Sequence, residues 1–286
     1  KMKQEITDNL DQEGGGDFLP ALEKAIQNRF ERYQGGLSQY QAHPYRRPFE
    51  DFEGFWSQGT SRLLNYGADD TGFKDHPVVV IPSLVNRYYI LDLEKEYSFL
   101  RWLKGESWHP LVMDWGAPGP DEQSFGLDDY ICKYLKPALL SVCEKFKRPP
   151  IVIGYCMGGT LAAALARVCP NEVHSLVLMA SPWDFHEGQE EGSSTALQGK
   201  WLSGLTPFIE MQGELPSEVL QILFASLDLT LSLRKFSAFS GASMQTSKTN
   251  SFVALEDWLN DGVPLTEQVA KECLSGWYGE NVTATG

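Results

Sequence analysis

Apolar positions along this chain follow two rhythms. Phe18, Leu19, Leu22, Ala25, Ile26 and Phe30 recur at helical spacing, whereas Val78-Val79-Val80-Ile81 is an unbroken apolar run closed at both ends by proline. The first pattern predicts an amphipathic helix. The second predicts a strand buried on both faces, as in a parallel sheet. Strands of the same kind are expected over 62–66, 110–115, 151–155 and 175–180. Helices are expected between them, over 92–104, 127–147 and 158–168. Strands alternating with helices imply parallel strands joined by right-handed crossovers.

Beyond Ser181-Pro182 the rhythm changes. Residues 195–278 hold helical patterns and no buried strand, as an inserted helical cap would. A doubly wound sheet is expected to resume after such a cap, so the C-terminal strands are expected to be missing from this sequence. The expected organisation is a disordered leader over 1–16, ending in Gly14-Gly15-Gly16. A helical flank over 17–60, an α/β core over 61–185 and the cap region over 186–286 follow. The Ser/Thr-rich stretch 240–251 reads as a loop within the cap, and no internal repeat is visible.

Of the 286 residues 42% are hydrophobic, enough for a sizeable core, and the net charge of -14 with no Lys/Arg-rich run argues against nucleic acid as a partner. No apolar stretch is long enough to span a membrane, and 1–30 lack a secretory apolar core, so a cytoplasmic location is expected. The five cysteines are odd in number and lack C-x-x-C spacing. They read as reduced thiols, and no metal site is expected.

One of them stands apart. Ile151-Val152-Ile153-Gly154-Tyr155-Cys156-Met157-Gly158-Gly159 places Cys156 in a G-x-C-x-G turn, with a strand before it and the alanine-rich run from Thr160 to Ala166 after it. This is the nucleophile elbow of hydrolases with cysteine in place of serine, and Gly154 and Gly158 are the positions where the turn leaves no room for a side chain. The elbow sets the thiol at a helix N-terminus, where partial positive charge favours the nucleophilic thiolate. The backbone N–H of Met157 is the first candidate oxyanion donor. The second is expected from the loop after the strand at 78–81, at Leu84 or Val85.

A cysteine nucleophile needs a histidine oriented by a carboxylate, normally later in the chain. Only His174 and His186 follow Cys156. His174 starts a strand on the side away from the elbow and reads as a solvated residue, while Asp184 and His186 share one loop and could form a makeshift pair. Asp228, Asp257 and Asp261 read as capping or surface carboxylates. Cys132, Cys143, Cys169 and Cys273 read as packing residues.

Four blocks occur in order: Ile81-Pro82-Ser83-Leu84-Val85-Asn86-Arg87-Tyr88-Tyr89-Ile90-Leu91-Asp92-Leu93, Asp114-Trp115-Gly116-Ala117-Pro118, Gly126-Leu127-Asp128-Asp129-Tyr130, and Gly154-Tyr155-Cys156-Met157-Gly158-Gly159-Thr160. Together they resemble the polyhydroxyalkanoate synthase family, the cysteine-nucleophile branch of the α/β hydrolases. The resemblance implies an α/β-hydrolase-type doubly wound, mostly parallel sheet with a helical cap. It implies that Cys156 attacks an (R)-3-hydroxyacyl-coenzyme A and carries the growing chain as a thioester, with acyl-CoA or polyester as substrate and no cofactor. The family's catalytic Asp and His follow the cap, so neither is expected in this chain. The same fold and nucleophile serve esterases, thioesterases and depolymerases, and a non-catalytic partner protein is a third reading. Apolar cap segments such as 215–233 and 252–259 would close the core or join two copies in a homodimer.

Overall fold

The computed structural model describes residues 18–67, 74, 76–187, 195–226, 228–244 and 246–286. The leader expected over 1–16 lies outside them. By their contacts the described residues form two compact units, one within 18–46 and 223–253 and one within 47–222 and 254–286. The sequence drew its divisions elsewhere, at 61 and 186.

The larger unit holds a six-stranded sheet. Its strands are β1 (Gly54–Gln58), β2 (Ser61–Asn65), β3 (Pro77–Ile81), β4 (His109–Asp114), β5 (Ile151–Tyr155) and β6 (Ser175–Met179), in the spatial order β1-β2-β4-β3-β5-β6. β1 and β2 are antiparallel to their neighbours, and β4, β3, β5 and β6 run parallel. β1 falls inside the stretch 17–60 expected to be a helical flank. The helical period ends there with α1 (Phe18–Gln41).

The apolar run of β3 is buried along its whole length, because helices cover both faces of the sheet centre. Val78, Val80, Val112 and Ile153 face one way and pack with Leu64, Leu91, Leu100 and Leu103. Their neighbours Val79, Leu111 and Val152 are in register with one another and are also buried. Strand alternation places these on the opposite face.

The chain leaves β3 for β4 on one side, then enters β5 on the other side of β3. That reversal makes the carboxyl ends of β3 and β5 a topological switch point, which is where open α/β sheets bind ligands. The loop after Ile81 and the turn at Cys156 both lie at this switch point, since Ile81 pairs with Gly154.

One expected element differs in extent, and two others match in extent but differ in character. The helix expected over 92–104 is shortened to α2 (Phe99–Gly105), because the Ser98 side chain accepts from the Arg101 N–H at 3.0 Å and fixes its start. The helix over 127–147 is α3, which runs through Leu127–Asp129, a π-helical Tyr130–Leu135 and Lys136–Phe146. β6 is a strand as expected, yet an exposed one. Leu176, Val177 and Leu178 are 37%, 44% and 49% exposed, and no strand pairs with its outer edge among the described residues.

Downstream lie α5 (Thr195–Gln212), α6 (Ser217–Ser226), α7 (Leu231–Phe239), α8 (Ser247–Asn260), α9 (Glu267–Lys271, continuing as a π-helix over Glu272–Glu280) and the short α10 (Val282–Thr285). α4 is the helix Met157–Val168 after β5. The cap stretch read as strandless contains a two-residue antiparallel pair, Glu214–Leu215 with Leu265–Thr266.

In the smaller unit α1 crosses α7 closely. A Cβ on Gly36 would stand 1.8 Å from the Phe236 carbonyl oxygen, so only glycine permits the approach. Tyr33 meets Phe236 edge-on, and Phe239 stacks on Phe252 at 4.3 Å. The apolar face of the first half of α1 is open, with Leu19 68% and Ile26 60% exposed.

Candidate functional site

Cys156 closes β5 and opens α4. It is the N-cap of that helix with φ 53 and ψ -130, a backbone conformation that L-residues seldom adopt. The turn is held from both sides: the Cys156 N–H donates to Met179 O at 2.9 Å, and the Gly159 N–H donates to Cys156 O at 2.8 Å. Met157 is the first helical residue, so its N–H has no acceptor within the helix.

The elbow glycines are set by close backbone packing. A Cβ on Gly154 would stand 2.3 Å from Gly159 Cα, and one on Gly158 would stand 2.1 Å from Ile81 O and 2.5 Å from Pro82 O. Gly159 belongs to the same set, because its Cβ would overlap the Ser181 hydroxyl at 1.6 Å. The sequence printed this third glycine, but only the approach of the loop after β6 gives it a reason.

Of the two residues expected to supply the second amide, Val85 is already engaged. Its N–H donates to Ser83 Oγ at 3.2 Å, and its carbonyl accepts from the Val263 N–H at 3.0 Å. Leu84 is buried and lines a small cleft with Trp115, Tyr130, Val263, Leu265 and Val269. Cys156 is not among the walls of that cleft.

The loop that carries these residues is anchored at both ends. At its start the Trp115 indole donates to Pro82 O at 3.0 Å. At its end the buried Asp92 carboxylate accepts from Tyr66 Oη at 2.8 Å and Arg101 Nε at 2.8 Å, and Arg101 also reaches Glu50 at 2.6 Å. Burial, with Tyr88 and Asp92 beside it, holds the Tyr66 phenol above its ordinary pKa, so it remains a donor. Two partnerships in this loop went unread. The Trp258 indole donates to Arg87 O at 2.8 Å, and Asp261 accepts from Tyr89 Oη at 2.8 Å and Arg87 Nε at 3.4 Å. Asp261, read as a capping or surface carboxylate, is at the surface and also anchors this loop. No local pattern signals it, because its partner Tyr89 is 172 positions away.

Asp184 and His186 do not form a catalytic pair. One Asp184 oxygen accepts from the backbone N–H groups of His186 at 2.9 Å and Glu187 at 3.1 Å and from Asn281 Nδ2 at 2.8 Å, while the His186 ring contacts Tyr278 O at 2.9 Å. Those backbone bonds hold the Asp184 carboxyl below its usual range and make it a turn cap. His174 stacks on His76 with ring centres 3.7 Å apart, at the amino ends of the strands. Asp228 caps its own turn through Thr230. Asp257 and the other histidines supply no further candidate.

All five cysteines are free thiols, and Cys169 and Cys273 are buried. Burial pushes the Cys143, Cys169 and Cys273 thiols up, which suits packing residues. Among the described residues no group of three or more His, Cys, Asp or Glu is arranged to hold a metal, and no helix is long and apolar enough to cross a membrane.

The family model and the curated relatives agree with this architecture. The family model described as alpha/beta hydrolase fold matches residues 76–206. Among curated relatives, the poly(3-hydroxyalkanoate) polymerase subunit PhaC of Haloferax mediterranei is 28% identical over 239 residues, covering 80% of this chain and 46% of that protein. The subunit of the same name from Thiocystis violacea is 24% identical over 260 residues, covering 81% of this chain and 72% of that one. The chain spans about half the length of the first curated relatives it matches. Among solved structures, a monoacylglycerol lipase of Paleococcus ferrophilus aligns with TM-score 0.42 at 16% identity over 77% of this chain and 71% of that one. The chain has the α/β-hydrolase fold, and the two curated relatives above are poly(3-hydroxyalkanoate) polymerase subunits.

Proposed function

We propose that this chain carries the nucleophilic half of an acyltransferase that acts on (R)-3-hydroxyacyl-coenzyme A thioesters. The observation that carries the reading is the backbone of Cys156, which occupies a positive-φ N-cap where the strand order reverses between β3 and β5. Similarity to the polymerase subunits supports the choice of substrate.

In this reading the Cys156 thiolate adds to the thioester carbonyl. The negative charge formed on the carbonyl oxygen is met by the Met157 N–H and, from the loop after β3, the Leu84 N–H. Collapse of the intermediate expels the coenzyme A thiolate and leaves the acyl group on Cys156. Thioester exchange of this kind conserves bond energy and needs no cofactor. Transfer onward to a hydroxyl needs a general base, a role assigned to none of the residues described above. The polyester acceptor, a homodimer through 215–233 and a cytoplasmic location with reduced thiols belong to the same proposal.

The test is incubation with (R)-3-hydroxybutyryl-CoA, followed by intact mass and peptide mapping. One acyl adduct per chain on the peptide containing Cys156, absent in Cys156→Ala, is the expected result. An unmodified Cys156 with free coenzyme A still released would reject it. Free hydroxy acid accumulating without polymer would assign the same nucleophile to a hydrolase.

A further inference from the structure

The end of α8 and the residues just after it lie against the loop that follows β3, far from it in sequence. Going along the loop, the Val85 carbonyl accepts from the Val263 N–H at 3.0 Å, Asn86 forms a β-bridge with Gly262, and Arg87 O accepts from the Trp258 indole at 2.8 Å. Asp261 completes the set, with one carboxylate oxygen 2.8 Å from Tyr89 Oη and the other 3.4 Å from Arg87 Nε. The Arg47 guanidinium covers the Tyr89 ring, 4.5 Å from its centre. Burial and the neighbouring carboxylate hold the Tyr89 phenol above its ordinary range, so it is a proton donor throughout the working range of pH.

We infer that Asp261 is a positioning residue for the oxyanion loop: by gripping Tyr89 and Arg87 it fixes the backbone from which the Leu84 amide faces the thioester carbonyl. The inference rests on the acyl-transfer reading above for its consequence and on the contacts alone for its geometry. A backbone donor works only where it is held in advance, because a group that must reorganise during the reaction gives up most of its electrostatic benefit. Asp261 touches neither the substrate nor Cys156 in this account. It acts through Tyr89 and Arg87.

The experiment compares wild type, Asp261→Ala and Asp261→Asn by two reactions at the same sulfur. Acylation by (R)-3-hydroxybutyryl-CoA passes through an oxyanion, whereas alkylation by iodoacetamide does not. Asp261→Ala is expected to slow acylation by roughly ten- to a hundredfold, the scale of a displacement of about 1 Å, and to leave alkylation unchanged. Asp261→Asn keeps an oxygen acceptor for Tyr89 and is expected to stay near wild type. Unchanged acylation in Asp261→Ala would overturn the inference. An equal fall in acylation and alkylation would overturn it too, by showing a general structural role. Failure of the wild type to be acylated would reject the acyl-transfer reading alone. The positioning role is then decided by amide hydrogen exchange at 84–87, where faster exchange in Asp261→Ala upholds it and unchanged exchange rejects it.

Discussion

Gly158 and Ile81 are in backbone contact: a Cβ placed on Gly158 would stand 2.1 Å from the Ile81 carbonyl oxygen. The N-terminus of α4 therefore lies directly against the end of β3, which brings the Cys156 turn and the loop after β3 to one place. Gly158→Ala is expected to destabilise the fold by about 1–3 kcal/mol, because backbone on both sides must yield. A thermal melt showing a fall of several degrees checks it, and an unchanged Tm would remove the steric reason for the second elbow glycine.

Cys156 sits at φ 53, where a residue with a Cβ is strained. Cys156→Gly is expected to raise stability by roughly 1 kcal/mol and to abolish acylation, whereas Cys156→Ala abolishes acylation without the gain. Urea titration of the two variants checks the difference. Equal midpoints would show that the turn carries no strain.

Asp92 is buried and holds Tyr66 and Arg101 together. Asp92→Ala leaves a phenol and a guanidinium without their shared acceptor, and the expected loss is about 3 kcal/mol. Tyr66→Phe removes one hydrogen bond and is expected to cost about 1 kcal/mol. Chemical denaturation of both variants measures the ratio.

Acid sensitivity follows from Glu50. Hydrogen bonds from Lys95 and Arg101 lower its pKa from the usual carboxylate range to about 2. A carboxylate whose folded pKa is depressed stabilises the protein above its unfolded value and loses that contribution as pH falls through the folded value. Glu50→Gln is therefore expected to flatten the decline in stability between about pH 4.5 and pH 2. The effect is small, since the pair is near the surface and screened by salt. Melting curves across that window, at low and high salt, check it.

The strands and the elbow were legible because each rests on local rules. Continuous apolar runs named β3, β4 and β5, and G-x-C-x-G between strand and helix named the turn at Cys156. β1 was not legible, because it falls in an aromatic stretch, Phe52 to Trp56, that matches neither period. The exposure of β6 was not legible either, since its five residues read like those of a buried strand and no local period records what covers its faces. Val85 and Leu84 looked equivalent as amide donors until the Ser83 hydroxyl was seen to take one of them.

By itself the sequence determined the alternation of strand and helix, the acidic surface, and a thiol at the head of a helix, all written in the spacing of neighbouring residues. The tertiary structure alone decided which distant groups hold the loop after β3, why Gly159 joins Gly154 and Gly158, and that Asp184 caps a turn rather than serving His186. The physical reason is separation along the chain. Hydrogen bonds and close contacts between residues far apart in sequence depend on how the elements pack, and no local period records that packing.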